Sequence, residues 1–457
     1  MLEYVVFVVL ILGLIDLVVD LLKNADRLAS LPSLISALLL MFSVLLPDGR
    51  LFTYSLNPFF KLASLAVGIS LLIIVLSGEL IKTERPGLYN GLLILTALGA
   101  VLASAADDFI SMLVAWQLST LSSYVLVSIK KDAFGAEAGM KYLVVGLASF
   151  GALIFGVGLI AGSTGSLNYV SISQAITGDP VTLLGVVLLI AALGYKMAAF
   201  PFFVWMPDTY QGAPPIVGGV LSAITKTMAF MVAFKIFLVA LLPIKVLWVP
   251  VIAAVSALTM IYGNIAALVQ ENARRMLAYS SIAHAGYILM ALAALSSSSL
   301  VGGLSHVFVH AVMKVVAFAT VMQVLMITGS DYFKDFAGLR RRAPLTLFSM
   351  AVSFMAMIGI PLTAGFWTKY VLFLGAVGGG MWWLTAIAVI CSVISIWYYI
   401  KPLRWSFVEG GGLTAERKPS RAAQAGMLLG TAVIILLGFV PSPLLTLAKA
   451  AVLSIMP

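Results

Sequence analysis

Four lysines stand deep inside apolar stretches of this 457-residue chain: Lys196, Lys226, Lys314 and Lys369. A fifth, Lys235, sits near the end of its stretch, where its stem can snorkel to the interface. No arginine accompanies them. A charge at mid-membrane costs about 2.5 kcal/mol or more on insertion scales. An amine out of water sheds its proton more readily, and lysine can do this where arginine cannot. Four buried lysines are therefore suited to relaying protons or another small cation. The plainer alternative is a set of structural ion pairs. The stretch LVGGLSHVFVHAVMKVVAFATVMQVL adds His306 and His310 at four-residue steps before Lys314. Such residues share one helix face, about 6 Å apart along the axis. Imidazole titrates near neutrality and both donates and accepts hydrogen bonds. Two histidines at this spacing also suit zinc, but no third ligand lies nearby in sequence, so no metal is expected. The plainer reading is a pair of histidines bonded to backbone or water.

The acidic residues sharpen the pattern. Nearly all 18 fall in loops or at the ends of apolar stretches, as do Glu79, Asp107, Asp108 and Asp208. Asp16 is the deepest, in the first stretch. The lysines thus lack an obvious intramembrane counter-ion. His284, in NARRMLAYSSIAHAGYIL, reads as a hydrogen-bonding structural residue a turn or two into its helix. No P-loop, dinucleotide fingerprint or nucleophile elbow appears, so no catalytic residue of redox or hydrolytic chemistry is expected.

The elements that position these residues are membrane-spanning helices. Apolar residues make up 62% and charged residues 10%, against about 25% charged in soluble domains. Mean hydropathy is +1.12. The single cysteine, Cys391, excludes a disulfide framework and a cysteine metal cluster. The net charge of +9 points to orientation and anionic lipid, not nucleic acid. Runs of about 20 apolar residues, the length of one span, recur along the chain. They predict an all-α integral membrane fold of fourteen spans: 2–22, 28–47, 58–80, 89–106, 108–129, 138–162, 181–207, 213–241, 246–270, 275–296, 300–327, 346–376, 381–405 and 422–450. The first reads as a span, because it lacks a basic leader and a cleavage site.

Alternate loops hold 18 of the 27 basic residues, and the opposite side holds Arg50, Lys61, Lys245 and Lys449. The positive-inside rule then places both termini outside. Spans 7 and 12 are interrupted, by Pro201 and Pro207 and by Pro361 and Gly365. Proline frees carbonyls that lipid cannot satisfy, so such breaks belong where they line a protein interior or a wet cavity. The breaks lie five helices apart. That spacing implies two inverted five-helix units with a transport site between them. The divisions are 1–88 (helices 1–3), 89–241 (helices 4–8), 246–405 (helices 9–13) and 422–457 (helix 14).

The segments GYKMAAFPFFVWMPDTYQGAPP, SAITKTMAF, NARRMLAYSSIAHAGY, HAVMKVVAF and GIPLTAGFWTKY, in that order, resemble the antiporter-like subunits shared by respiratory complex I, Mrp-type sodium/proton antiporters and membrane-bound hydrogenases. The resemblance covers nearly the whole chain. It implies the same fourteen-helix fold, with two inverted repeats and broken helices 7 and 12. Lys196 matches the helix 7 lysine, Lys226 the connecting lysine of helix 8, Lys314 the helix 11 relay position and Lys369 the helix 12 residue that exchanges with the opposite side. One position departs. Where the family usually carries a glutamate on helix 5, this chain has Gln117, which can hydrogen-bond but carries no charge. Asp108, nine residues earlier, is about 13 Å away along a helix and no ready substitute.

The resemblance implies an ion-translocating subunit of a membrane redox complex, with no cofactor of its own. Iron–sulfur or other redox centres belong to peripheral partner subunits. Further antiporter-like subunits are expected beside it in a prokaryotic cell membrane. The alternatives are an Mrp-type antiporter component driven by an existing gradient, or a coupling subunit that has lost pumping through Gln117.

Overall fold

The computed structural model describes residues 2–19, 30–78, 81, 85–408 and 419–456. Lys23, Arg27, Glu79, Lys82, Arg417 and Lys418, which entered the charge pattern above, lie outside the described residues. In chain order the helices are α1 (Leu2–Val19), α2 (Leu31–Phe42), α3 (Pro58–Gly78), α4 (Pro86–Ala105), α5 (Phe109–Val127), α6 (Ala133–Thr164), α7 (Tyr169–Ala175), α8 (Pro180–Met197), α9 (Trp205–Gly212) and α10 (Pro215–Val220). There follow α11 (Lys226–Lys235), α12 (Lys245–Leu268), α13 (Ala273–Ala294), α14 (Ser297–Thr328), α15 (Leu339–Arg342), α16 (Pro344–Ile358), α17 (Ala364–Gly378), α18 (Trp382–Ser406), α19 (Arg421–Phe439) and α20 (Ser442–Ile455). Among the described residues, eleven helical segments are long and apolar enough to cross a membrane. The all-α membrane expectation is met.

The 32-residue α14 is the central helix. It packs against α3, α10, α13, α16, α17, α19 and α20, so its histidines and lysine are shut away from lipid. Small residues bring the site helices together, as van der Waals packing between membrane helices requires. A Cβ added to Gly263 of α12 would stand 2.5 Å from the backbone nitrogen of Ala283 on α13. α8 starts on Asp179, whose carboxylate accepts from the Thr182 hydroxyl at 2.6 Å and from the Val181 and Thr182 amides. These bonds, the Thr182 hydroxyl foremost, hold the Asp179 carboxyl down at about 2, so the cap stays charged at working pH.

The span 7 break runs from Ala198, which is left-handed (φ 56°), to Val204. Pro201 lies within it, joined to Phe200 by a cis bond. Pro207 lies beyond it, in the first turn of α9, where a missing N–H costs nothing. Backbone freed here finds partners: Phe200 N–H donates to Thr259 at 2.9 Å, and the Tyr195 carbonyl accepts from the Trp205 indole at 3.1 Å. The span 12 break runs from Gly359 (φ 92°) to Thr363 and holds Pro361. Gly365 sits beyond it, in the first turn of α17.

Three features add to or subdivide the expected spans. Residues 49–56 form a small hairpin, Gly49–Leu51 paired with Tyr54–Leu56. The last span is two helices, because Pro441 has no N–H to continue α19 and drives Val440 out of the helical region (φ −128°, ψ 78°). Span 8 is one long helix with π-helical turns at Leu221–Thr225 and Ile236–Ala240.

Lys235 corrects the snorkelling expectation. It is buried and forms an ion pair with Asp107 at 2.9 Å, while donating to the Ala105 carbonyl at 2.7 Å. Asp107 also accepts from Ser55 at 2.5 Å and faces Arg50 at 3.5 Å. The pair ties the hairpin and the α4–α5 turn to α11. Lys235→Met is expected to leave Asp107 short of its buried partner and to lower stability by about 2–3 kcal/mol, less than for a wholly buried pair because Asp107 keeps some solvent. Thermal unfolding of the detergent-purified protein checks this, and an unchanged midpoint would show the pair to be dispensable.

Candidate functional site

All four deep lysines and both predicted histidines are buried, at 4% exposure or less. Among the described residues, none of the four lysines forms an ion pair with a carboxylate. Their ammonium groups are met by hydroxyls, carbonyls and aromatic faces instead.

Lys196 lies in the last turn of α8, just before the break. Its Nζ donates to the Tyr142 hydroxyl at 2.8 Å. Gln117 does not reach it: the Gln117 Oε1 is buried without a hydrogen-bond partner. Lys226 follows the π turn Leu221–Thr225 and donates to the Ser281 carbonyl at 2.8 Å. A π turn inserts extra backbone into one turn and re-aims the side chains after it, a feature common at functional sites. Ser281 Oγ lies 3.4 Å from His310 Nε2 and 3.3 Å from Ser222, which donates to Tyr210 at 3.1 Å.

Beyond this point the groups form one hydrogen-bonded series. Lys314 donates to Ser280 Oγ at 2.5 Å and to the Leu277 carbonyl at 3.0 Å. Ser280 bonds the Tyr399 hydroxyl. Tyr399 lies 3.4 Å from His284 Nε2. His284 Nδ1 meets His306 Nε2 at 2.9 Å, and His306 Nδ1 meets Thr368 at 2.8 Å. Lys369 is the next residue in the chain. It donates to the Met357 and Ile358 carbonyls at 2.8 and 3.0 Å and to Ser392 at 2.9 Å. Those carbonyls are freed where α16 stops at Gly359, so the second break makes the cradle for this lysine. The Tyr287 ring lies 4.8 Å away.

The predicted stripe on α14 is therefore present, but its members do not bond one another. Each hands across to a neighbouring helix: Lys314 and His310 to α13, His306 to α13 and α17. His284 corrects the sequence reading. It is the twelfth residue of the 22-residue α13 and stands inside the series, stacked on His306 with ring centroids 5.2 Å apart. Sequence reasoning also missed Ser280, Tyr399, Thr368 and Tyr142. Three histidines lie close together, but among the described residues no group of three His, Cys, Asp or Glu side chains is arranged to hold a metal ion. The histidine nitrogens at 2.8 and 2.9 Å face one another and a hydroxyl, as hydrogen-bonded pairs do.

Residues 106–395 match the family described as NADH:quinone oxidoreductase/Mrp antiporter, transmembrane. The chain is 36% identical over 419 residues to F(420)H(2) dehydrogenase subunit N of Methanosarcina mazei, covering 88% of this chain and 84% of that protein. It superposes on a chain of the membrane-bound sulfane sulfur reductase, an archaeal respiratory membrane complex, with a TM-score of 0.89 and 26% identity, covering 99% of this chain and 97% of that one. A chain of respiratory complex I from Thermus thermophilus matches with a TM-score of 0.82 and 27% identity, covering 97% of this chain and 99% of that one. The protein belongs to the NADH:quinone oxidoreductase/Mrp antiporter family of transmembrane subunits. It is an antiporter-like, multi-pass membrane subunit of the kind found in complex I and related complexes, where such chains sit among other membrane and redox subunits.

Proposed function

We propose that this chain carries protons across a prokaryotic cell membrane as one subunit of a redox-driven complex. The relay runs through Lys196, Lys226, Lys314 and Lys369, with His306, His310 and His284 beside the third and fourth. The observation that carries this reading is the unbroken series from Lys314 through Ser280, Tyr399, His284 and His306 to Thr368. Every member can both donate and accept, Lys314 in its neutral amine form, which proton passage requires and a static charge does not. Partner subunits hold the iron–sulfur or other redox centres, and this chain holds none.

Counting α8 with α9, α10 with α11, α16 with α17 and α19 with α20 as single spans, and setting aside the short α7 and α15, supports the fourteen-span reading. The two breaks then fall in corresponding helices of inverted units 89–241 and 246–405, flanked by 1–88 and 422–457. The excess of basic residues in alternate loops supports both termini lying outside. A gradient-driven Mrp-type role is less favoured, because the relative from Methanosarcina mazei is named as a dehydrogenase subunit. Purifying the tagged chain from native membranes in mild detergent, followed by mass spectrometry, tests the assignment. Co-eluting iron–sulfur subunits are the expected result. Recovery of small membrane subunits alone, with no redox protein, would sink it.

A further inference from the structure

Lys196 is the one relay lysine whose acidic helix 5 partner, implied by the family resemblance, is missing from the sequence. Its surroundings are instead aromatic. The ammonium donates to Tyr142 at 2.8 Å, and the Tyr142 hydroxyl lies 3.1 Å from Ser123, whose own proton goes to the Thr120 carbonyl at 2.7 Å. Nζ stands 5.1 and 5.7 Å from the ring centroids of Tyr142 and Tyr124. The ammonium bonded to the Tyr142 hydroxyl sits at the edge of that ring, so the Tyr124 ring is the one placed to attract it as a cation.

Tyr142 is held firmly. Its ring stacks on Trp205 at 4.7 Å and meets the edge of Tyr124 at 4.6 Å, and its carbonyl accepts from the Tyr195 hydroxyl at 2.9 Å. Trp205 in turn donates to the Tyr195 carbonyl across the helix break. Trp205, the first residue of α9 after the break, thus lays its indole on the phenol.

Building on the relay reading above, we propose that Tyr142 is the positioning residue for proton exchange at Lys196, in the place of the family's helix 5 carboxylate. A carboxylate stabilises only the charged amine. A phenol serves both states: it accepts from the ammonium while its own proton points to Ser123, and it donates to the neutral amine when that proton turns back. No proton need leave the tyrosine. The Tyr124 ring, 5.7 Å from Nζ, adds attraction for the charged form.

The test uses the intact complex in proteoliposomes, driven by its own electron donor, with proton translocation followed against pH. Tyr142→Phe keeps the ring and removes the hydroxyl. Its translocation is expected to fall about tenfold at the alkaline end, with that limb of the profile moved down by about one pH unit, the shift worth one charge-assisted hydrogen bond. A merely structural phenol would lower yield or midpoint and leave the limb where it was. Should the Phe variant fail to assemble, fluorotyrosine at 142, isosteric and a poorer acceptor, is expected to move the same limb the same way. An unmoved limb in the assembled variant overturns the proposal. Lys196→Ala separates the levels: if it leaves translocation intact, the relay reading itself fails; if it abolishes translocation while the Tyr142 variants behave as wild type, only the tyrosine assignment fails.

Discussion

Lys314→Met is expected to stop proton translocation while leaving the complex assembled and at least as stable. Lys314 is wholly buried and has no carboxylate partner among the described residues. Its partners are Ser280 Oγ and the Leu277 carbonyl, and that carbonyl also lies within the ladder of α13. Methionine has nearly the same length and volume, so the packing of α14 is kept. Exchanging an unpaired buried cation for an apolar side chain removes a desolvation cost and creates no unpaired charge. A structural lysine would therefore be replaced here without harm, and a relay lysine would not. Loss of one acid–base group from a proton pathway is expected to slow translocation by about 10²-fold. Lys314→Arg is expected to fail as well, because guanidinium cannot give up its proton. Dye-detected proton uptake in proteoliposomes, set beside the thermal midpoint, checks both halves. Normal uptake by the Met variant would remove Lys314 from the pathway.

How much of this was readable beforehand depends on the kind of signal. A lysine inside twenty apolar residues is visible along the chain alone, so Lys196, Lys226, Lys314 and Lys369 needed no structure. Prolines 201 and 361 announce the two breaks for the same reason. What the sequence withholds is contact across helices. Ser280, Thr368 and Tyr399 are ordinary polar residues until α13, α17 and α18 bring them to His306 and Lys314. His284 was misread because its partners, His306 and Tyr399, lie on other helices and leave no trace along its own. Asn272 caps that helix, accepting from the Arg275 amide at 3.2 Å, and leaves the histidine at mid-helix. Lys235 was misjudged because Asp107 is 128 residues away in sequence and reaches it only through the α4–α5 turn. The hairpin at 49–56 has strands too short for alternation to register.

Gly365→Ala should be the most damaging of the conservative changes. A Cβ at this position would lie 1.8 Å from the carbonyl oxygen of Ala356 and 2.7 Å from its carbon. Both atoms are backbone, so no side chain can swing aside, and α17 as a whole must retreat from the end of α16. That retreat carries Thr368 away from His306 and Lys369 away from the Met357 and Ile358 carbonyls, bonds now 2.8–3.0 Å long. Overpacking against backbone is expected to cost about 3 kcal/mol, at the upper end for such substitutions. Gly378, the last residue of α17, has nothing within 4 Å of an added Cβ. Gly378→Ala is the matched control, expected to be neutral or to stabilise by about 0.5–1 kcal/mol through helix propensity. The pair is compared by thermal unfolding and by proton uptake. Loss of both in the first variant and neither in the second fits a break whose geometry, and not merely its proline, holds Lys369 in place. Equal behaviour of the two variants would mean that the close approach of α17 to α16 is not needed for either.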